Sequence, residues 1–310
     1  MKKLLLIDTF NFLHRAYHAL PQSFRDDKGE PVNAVYGVTS MLINILSQIK
    51  PDYAVAALDG IKPTFRVENF TAYKAHRKPM EENLSSQIPK VFEILDAFGI
   101  KSVVIDGYEA DDVIGTFAVK NASESVQVVV VSNDRDMWQL LNKDVVAMVP
   151  STTGSAEWVG PNEVYTRMGI KPDQIPDYKG LRGDPSDNIP GVHGVGEKTA
   201  LKLIQEFGGV EEIYKNISKV TPESLKEKLV NNAEEAVMSK QLATIITDVP
   251  VTVSLEECEF KGFDKIEVKE VLEKYHFKSL IKRLGFEVAD DKGNKGKKTT
   301  EVLENQTALF

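Results

Sequence analysis

Apolar residues rich in β-branched side chains gather in five short runs, at residues 4–7, 53–58, 102–105, 126–131 and 145–149. Runs this short and this uniformly apolar predict strands buried on both faces. Between them, residues 35–49 and 86–98 repeat their apolar positions at the helical period. Strands alternating with helices predict an α/β unit: a mostly parallel central sheet flanked by helices and joined by right-handed crossovers. Ligands of such sheets gather at the carboxyl ends of the strands. Asp8, Asp59 and Asp134 each stand at or just past the end of an apolar run, and that coincidence is the first pointer to chemistry.

From about residue 171 the strand pattern fades, and short helical stretches separated by Gly, Pro and Asp clusters continue to about residue 286. Two units are therefore expected, 1–170 and a helical 171–286. Residues 287–305 lack aromatics, are rich in charge and include Gly293-Asn294-Lys295-Gly296-Lys297-Lys298, which predicts a flexible tail over 287–310.

Composition narrows the class. The 310 residues, 42% hydrophobic and 27% charged, can bury one large core or two unequal ones. The apolar run after Lys3 stops at Asp8, too short for a signal peptide, and no other run could span a membrane. A monomeric, cytoplasmic, nucleoid-associated protein is expected. The single cysteine, Cys258, excludes an internal disulfide and a cysteine-based zinc knuckle. A formal charge of -8 argues against general polyanion binding unless the basic residues cluster, and they do so at 66–78 and 179–202.

The acidic residues are more informative. Glu109, Asp111 and Asp112 in Gly107-Tyr108-Glu109-Ala110-Asp111-Asp112-Val113 stand where a loop enters a helix predicted over 113–120. N-capping and the helix dipole explain one or two such acids, but not three. Two further clusters follow, Ser132-Asn133-Asp134-Arg135-Asp136 and Gly183-Asp184-Pro185-Ser186-Asp187-Asn188. Taken singly, each Asp reads as a cap or turn residue, most readily Asp111 and Asp136. Nine carboxylates at one sheet edge (Asp8, Asp59, Glu109, Asp111, Asp112, Asp134, Asp136, Asp184 and Asp187) would repel one another unless cations sat among them. All-oxygen ligands select hard ions, Mg2+ or Mn2+ over zinc. Metal pairs about 4 Å apart are the usual device for in-line displacement at phosphorus, so phosphodiester hydrolysis is the expected reaction.

Leu6-Ile7-Asp8, Ala57-Leu58-Asp59, Glu109-Ala110-Asp111-Asp112, Asp134-Arg135-Asp136 and Gly183-Asp184-Pro185-Ser186-Asp187-Asn188-Ile189-Pro190-Gly191 occur in that order. They resemble the motifs of the flap endonuclease family, which includes the 5′-nuclease domain of bacterial DNA polymerase I, over roughly residues 1–286. The resemblance implies a structure-specific 5′-nuclease acting on 5′ flaps, nicked or frayed duplex DNA and RNA primers. It also implies two ions, one held by Asp8, Asp59, Glu109, Asp111 and Asp112, the other by Asp134, Asp136, Asp184 and Asp187. A basic arch is implied around 62–84, with Lys74 and Arg77 on the scissile phosphate, Arg66 on the DNA and Tyr73 stacked on a frayed base; Arg15 matches a further basic position near the substrate. Gly191-Val192-His193-Gly194-Val195-Gly196-Glu197-Lys198-Thr199-Ala200 resembles a helix-hairpin-helix inside the family's helix-three-turn-helix. Gly191, Gly194, Gly196, Lys198, Thr199 and Lys202 would meet duplex phosphates there, beside a K+ ion.

Two positions depart from the family pattern: Thr9 and Asn133 stand where Gly is usual, and a positive φ would strain Thr9 while Asn133 would tolerate it. Two rivals remain, a catalytically silent DNA-junction binder and a single-strand ribonuclease of related fold. The helical region argues against the ribonuclease and the full set of carboxylates against the silent binder. Finally, Gln306, Leu309 and Phe310 in Gln306-Thr307-Ala308-Leu309-Phe310 resemble the peptide by which replication proteins bind the sliding clamp.

Overall fold

A computed structural model of the protein describes residues 1–150 and 156–287. The expected flexible tail beyond 287 and its clamp-binding peptide lie outside the described residues. The strands are β1 (Lys2–Asp8), β2 (Tyr53–Leu58), β3 (Lys101–Val104), β4 (Val126–Val131), β5 (Val145–Val149) and β6 (Glu157–Val159). Seven helices accompany the sheet: α1 (Thr9–Ala19), α2 (Asn33–Ile49), α3 (Phe65–Asn69), α4 (Glu82–Ser85), α5 (Ile88–Ala97), α6 (Ala110–Asn121) and α7 (Pro161–Met168). Seven more follow: α8 (Ile175–Arg182), α9 (Glu197–Phe207), α10 (Val210–Lys215), α11 (Glu223–Asn231), α12 (Ala233–Ala243), α13 (Lys265–Lys274) and α14 (Lys278–Arg283).

The strands form one sheet in the order β3-β2-β1-β4-β5-β6. All neighbouring pairs are parallel except β5 and β6. Chain order reverses between β1 and β4, so the crevice at their carboxyl ends is the natural ligand site of the fold. Asp8 is the last residue of β1, and Asp134 lies three residues past β4.

Alternation along β1 and β4 sends their side chains to two separate cores. Leu4, Leu6, Val128 and Val130 pack with α6, and the same core continues without a break into α8, α9, α10 and α11 through Leu181, Leu203, Ile213 and Leu229. Leu5, Ile7, Val129 and Val131 pack on the other face with α1, α2 and α5. α2 is apolar nearly all round and almost wholly buried, as a helix wedged between neighbours must be.

Three observations revise the sequence reading. The antiparallel strand β6 was not expected. The helical segment 171–286 is not one packing unit: α13 and α14 cross to the first layer, where Val268, Leu272, Phe277 and Ile281 join the core of α2 and α5. Nor is Thr9 strained, because neither it nor Asn133 adopts positive φ; Thr9 simply opens α1, with Asp8 as its cap. Among the described residues no helix is long and apolar enough to cross a membrane.

Candidate metal centre and nucleic-acid interface

At the switch point the carboxyl ends of β1, β2 and β4 meet the N-terminus of α6 in an open cleft of about 910 Å3, whose wall includes Asp8, Asp59, Glu109, Asp111 and Asp134. Asp8, Asp59 and Asp134 are each held by a backbone amide. Asp8 accepts from the Asn11 amide (3.1 Å) and from Ser132 Oγ (2.8 Å), and that hydroxyl also accepts from the Asp134 amide (3.0 Å). Asp59 accepts from the Ala110 amide at 2.7 Å, tying the end of β2 to the first turn of α6. Asp134 caps the turn 135–140 by accepting from the Asp136 amide at 2.8 Å. Burial, reinforced by the nearby Asp59 and Asp134 charges, pushes Asp8 up to about 6 despite its two hydrogen bonds. Burial and the charges of Asp8 and Asp134 hold Asp111 well above the ordinary carboxylate range. The group is short of positive charge, and its oxygen-only donors fit a hard divalent cation.

A second lobe of about 760 Å3 opens beside the first and shares Asn11, Arg77, Asn133, Asp134 and Asp187 with it. Here Asp136, Asp184 and Asp187 present carboxylate oxygens within 4.8 Å of one another, another set suited to a cation. The loop carrying Asp184 and Asp187 is folded on glycine. Gly183 (φ 76°) and Gly191 (φ 64°) lie so close that a Cβ on Gly191 would come within 2.2 Å of the Gly183 nitrogen. Lys179 on α8 is buried among these acids, bonding Asp184 at 2.6 Å and also Asp136. Burial pushes Asp136 up to about 6 even against Lys179. For Asp184 the burial penalty is outweighed by Lys179 and Ser186, which bring it down to about 2.

Facing both lobes is the segment after α3. Lys74 adopts φ 53°, donates its amide to the Asp187 carbonyl (2.9 Å) and places Nζ 3.0 Å from Glu109 and 3.8 Å from Asp187. Burial opposes its charge, but Glu109, Asp187 and Asp111 overcome this and raise its pKa. Arg77 pairs with Asp187 and remains half exposed to the cleft. Arg15 of α1 lines the first lobe and donates to Asn133 Oδ1 (2.5 Å) and the Pro150 carbonyl (2.8 Å).

Residues 3–169 match the model of the 5′-3′ exonuclease N-terminal resolvase-like domain, and residues 170–266 that of the 5′-3′ exonuclease C-terminal SAM fold. The chain belongs to the 5′-3′ exonuclease family. The chain is 43% identical over 286 residues to DNA polymerase I of Caldicellulosiruptor bescii, covering 91% of the chain and 33% of that protein. It is 42% identical over 290 residues to DNA polymerase I of Bacillus subtilis, covering 93% of the chain and again 33% of the relative. The chain thus spans about a third of the length of these curated relatives. In fold it is similar to a bacteriophage T5 flap endonuclease variant in a pseudo-enzyme-product complex with DNA and metal ions (TM-score 0.66, 22% identity, 89% of this chain and 100% of that one). It is also similar in fold to the catalytic core of Rad2 in complex with DNA substrate (TM-score 0.59, 16% identity, 90% of each chain).

Four of the expected site residues are buried and engaged by other protein groups. Asp112 is fully buried and turned away from the cleft. It accepts two hydrogen bonds of 2.7 Å from Arg66, together with the amides of Glu109 (3.1 Å) and Ile246 (2.8 Å), so it closes a capping box rather than facing an ion. Arg66 is correspondingly buried and adds bonds to the Leu242 and Thr244 carbonyls, which leaves it no contact to offer DNA. Tyr73 is also buried, with its hydroxyl 3.2 Å from Glu109 and 3.3 Å from Asp187, so its ring is not free to stack on a base. Gly191 packs under the loop, its amide donating to Ser239 Oγ at 2.9 Å, and does not present its backbone to phosphate.

Gly194, Gly196, Lys198 and Lys202 are exposed, and Thr199 half-buried, around the N-terminus of α9; Lys228 donates weakly to the Gly194 carbonyl at 3.4 Å. Sequence reasoning missed three site residues. Lys179 fell within a basic cluster read as phosphate-binding, and its burial could not be seen. Ser132 and Asn11 order Asp8, Asp134 and Asn133, and only the position of Ser132, beside Asn133 and Asp134, was a signal.

Proposed function

We propose that the chain is a structure-specific 5′-nuclease that hydrolyses phosphodiesters at 5′ flaps and at nicked or frayed duplex ends, RNA primers included. The observation that carries this reading is the convergence of acids from five separate segments on one cleft that Lys74 and Arg77 face. Asp8, Asp59, Glu109, Asp111 and Asp134 would hold one Mg2+, and Asp136, Asp184 and Asp187 a second beside Asp134, with Mn2+ able to replace either. Such ions supply a hydroxide at neutral pH and offset charge on the attacking and leaving oxygens.

The chain's own residues do the rest. Lys74 and Arg77, bound to Glu109 and Asp187 in this structure, would turn to the phosphate and offset the charge that develops on it. Lys179 offsets part of the negative charge of the second lobe. Gly194, Gly196, Lys198, Thr199 and Lys202 would grip duplex phosphates through amides at the start of α9 and through ammonium groups; K+ at this hairpin belongs to the same proposal. The peptide with Gln306, Leu309 and Phe310 would tether the nuclease to a sliding clamp.

The test is cleavage of an end-labelled 5′-flap duplex with magnesium or chelator, for the parent, Asp59→Ala and Asp134→Ala. Cleavage is expected only in the parent with magnesium, while all three bind the duplex. Near-normal turnover of either variant at saturating magnesium would reject the reading.

A further inference from the structure

One face of α1 carries a pair of groups that the nuclease reading does not use. His14 and His18 are one helical turn apart, both exposed, and both line the mouth of the first lobe. Residues at this spacing stand as neighbours on a helix surface. Their rings lie nearly parallel, with centroids 6.3 Å apart and 26° between planes. The buried Tyr17 ring meets His18 edge-on at 5.3 Å, and Tyr17 is itself anchored through its hydroxyl to Glu81 at 2.8 Å. Neither imidazole has a hydrogen-bond partner among the described residues, whereas His276 is paired with Asp27 at 2.5 Å. The two side chains are thus supported from below and have their ring nitrogens free.

We propose that His14 and His18 form a two-imidazole site for a transition-metal ion of the zinc type, distinct from the carboxylate centre. Two histidines four apart on one helix are a standard zinc-ligating arrangement. Imidazole nitrogen selects zinc, copper or nickel, whereas the acids deeper in the cleft suit Mg2+. His14 stands six residues past Asp8, about 9 Å of rise along α1, which sets it apart from Asp8, while the charge of Asp59 still reaches it. Two protein ligands leave two positions of a tetrahedral ion open. On the cleft wall those positions would take water or a phosphate oxygen, and an ion holding a phosphate there would keep the strand from moving through the cleft. That last consequence rests on the proposed nuclease function; the binding site itself does not.

The experiment is calorimetric titration of zinc chloride into the full chain with magnesium saturating, for the parent, a His14→Gln/His18→Gln double variant and, as a control, His76→Gln, an exposed histidine of the segment after α3. Circular dichroism confirms that the variants keep the helix content of the parent. The parent and His76→Gln are expected to bind one zinc equivalent that the double variant binds at least tenfold more weakly. Copper added in place of zinc should show coupling to two nitrogens by electron paramagnetic resonance, lost in the double variant. Unchanged zinc binding in the double variant, equal loss in His76→Gln, or no zinc bound by the parent would each overturn the site. Cleavage assays then separate the two claims: if zinc binds as expected but does not slow magnesium-supported cleavage, the site stands and its inhibitory role falls.

Discussion

Arg66 and Asp112 share a charge-assisted, doubly bonded contact sealed from water. Replacing Arg66 with Met leaves the Asp112 carboxylate uncompensated, at a cost of about 3–5 kcal/mol. We expect Arg66→Met to lower the denaturant midpoint strongly, and a midpoint unchanged from the parent would show the pair to be dispensable. The cleft acids give a pH dependence of opposite sense to ordinary surface carboxylates. Asp8 and Asp136 are both held up near 6 in the folded chain, against about 3.9 when unfolded. A raised pKa contributes stability that is fully present below the unfolded value and lost as pH rises through the folded one. In chelator the chain is therefore expected to melt at a higher temperature at pH 5 than at pH 7, and magnesium, which on the proposed function binds the ionised acids, should raise the pH 7 value more. Melting curves at the two pH values, with and without magnesium, check this; a larger magnesium effect at pH 5 would contradict it.

At the scale of elements, the loop bearing Asp184 and Asp187 depends on two glycines pressed together. Gly191→Ala should cost about 3 kcal/mol through strain at positive φ and overlap with the Gly183 backbone. Gly196→Ala has open space and an ordinary φ of -91°, so it should change stability far less. Comparable midpoints for the two variants in urea would refute this account of the loop. β1, β2, β4 and β5 were legible because their runs are mostly apolar and buried, as parallel strands covered on both faces are, and β3 was legible from its branched residues although only Val103 of it is buried. β6 escaped because Glu157 and Trp158 are exposed and only Val159 is buried, which leaves too short a pattern to detect. Which of Asp111 and Asp112 faces the cleft depends on a single 100° step around the first turn of α6, and no composition or spacing reveals it. Arg66 likewise reads as one more basic residue until its partners, more than 40 and more than 170 positions away, are seen to surround it.

For the molecule as a whole, the core that starts on one face of the sheet and runs into α11 leads us to expect the two halves to unfold together. Cys258 belongs to that core, is 2% exposed, and its thiol is pushed up to about 11 by burial. As the only cysteine, it reports the transition. At pH 8 it should resist a thiol reagent until the chain unfolds, with reactivity and loss of circular dichroism rising at the same denaturant concentration. Reactivity that precedes the spectral change would show the region around Cys258 opening by itself. The return of α13 and α14 to the first layer also matters while the chain is being made. The apolar surface of α2 and α5 is complete once residue 98 has been added, yet its cover begins only at Lys265. At about 5–20 residues per second, that surface waits on the order of ten seconds or more beside the ribosome, long enough for a chaperone to be its first partner.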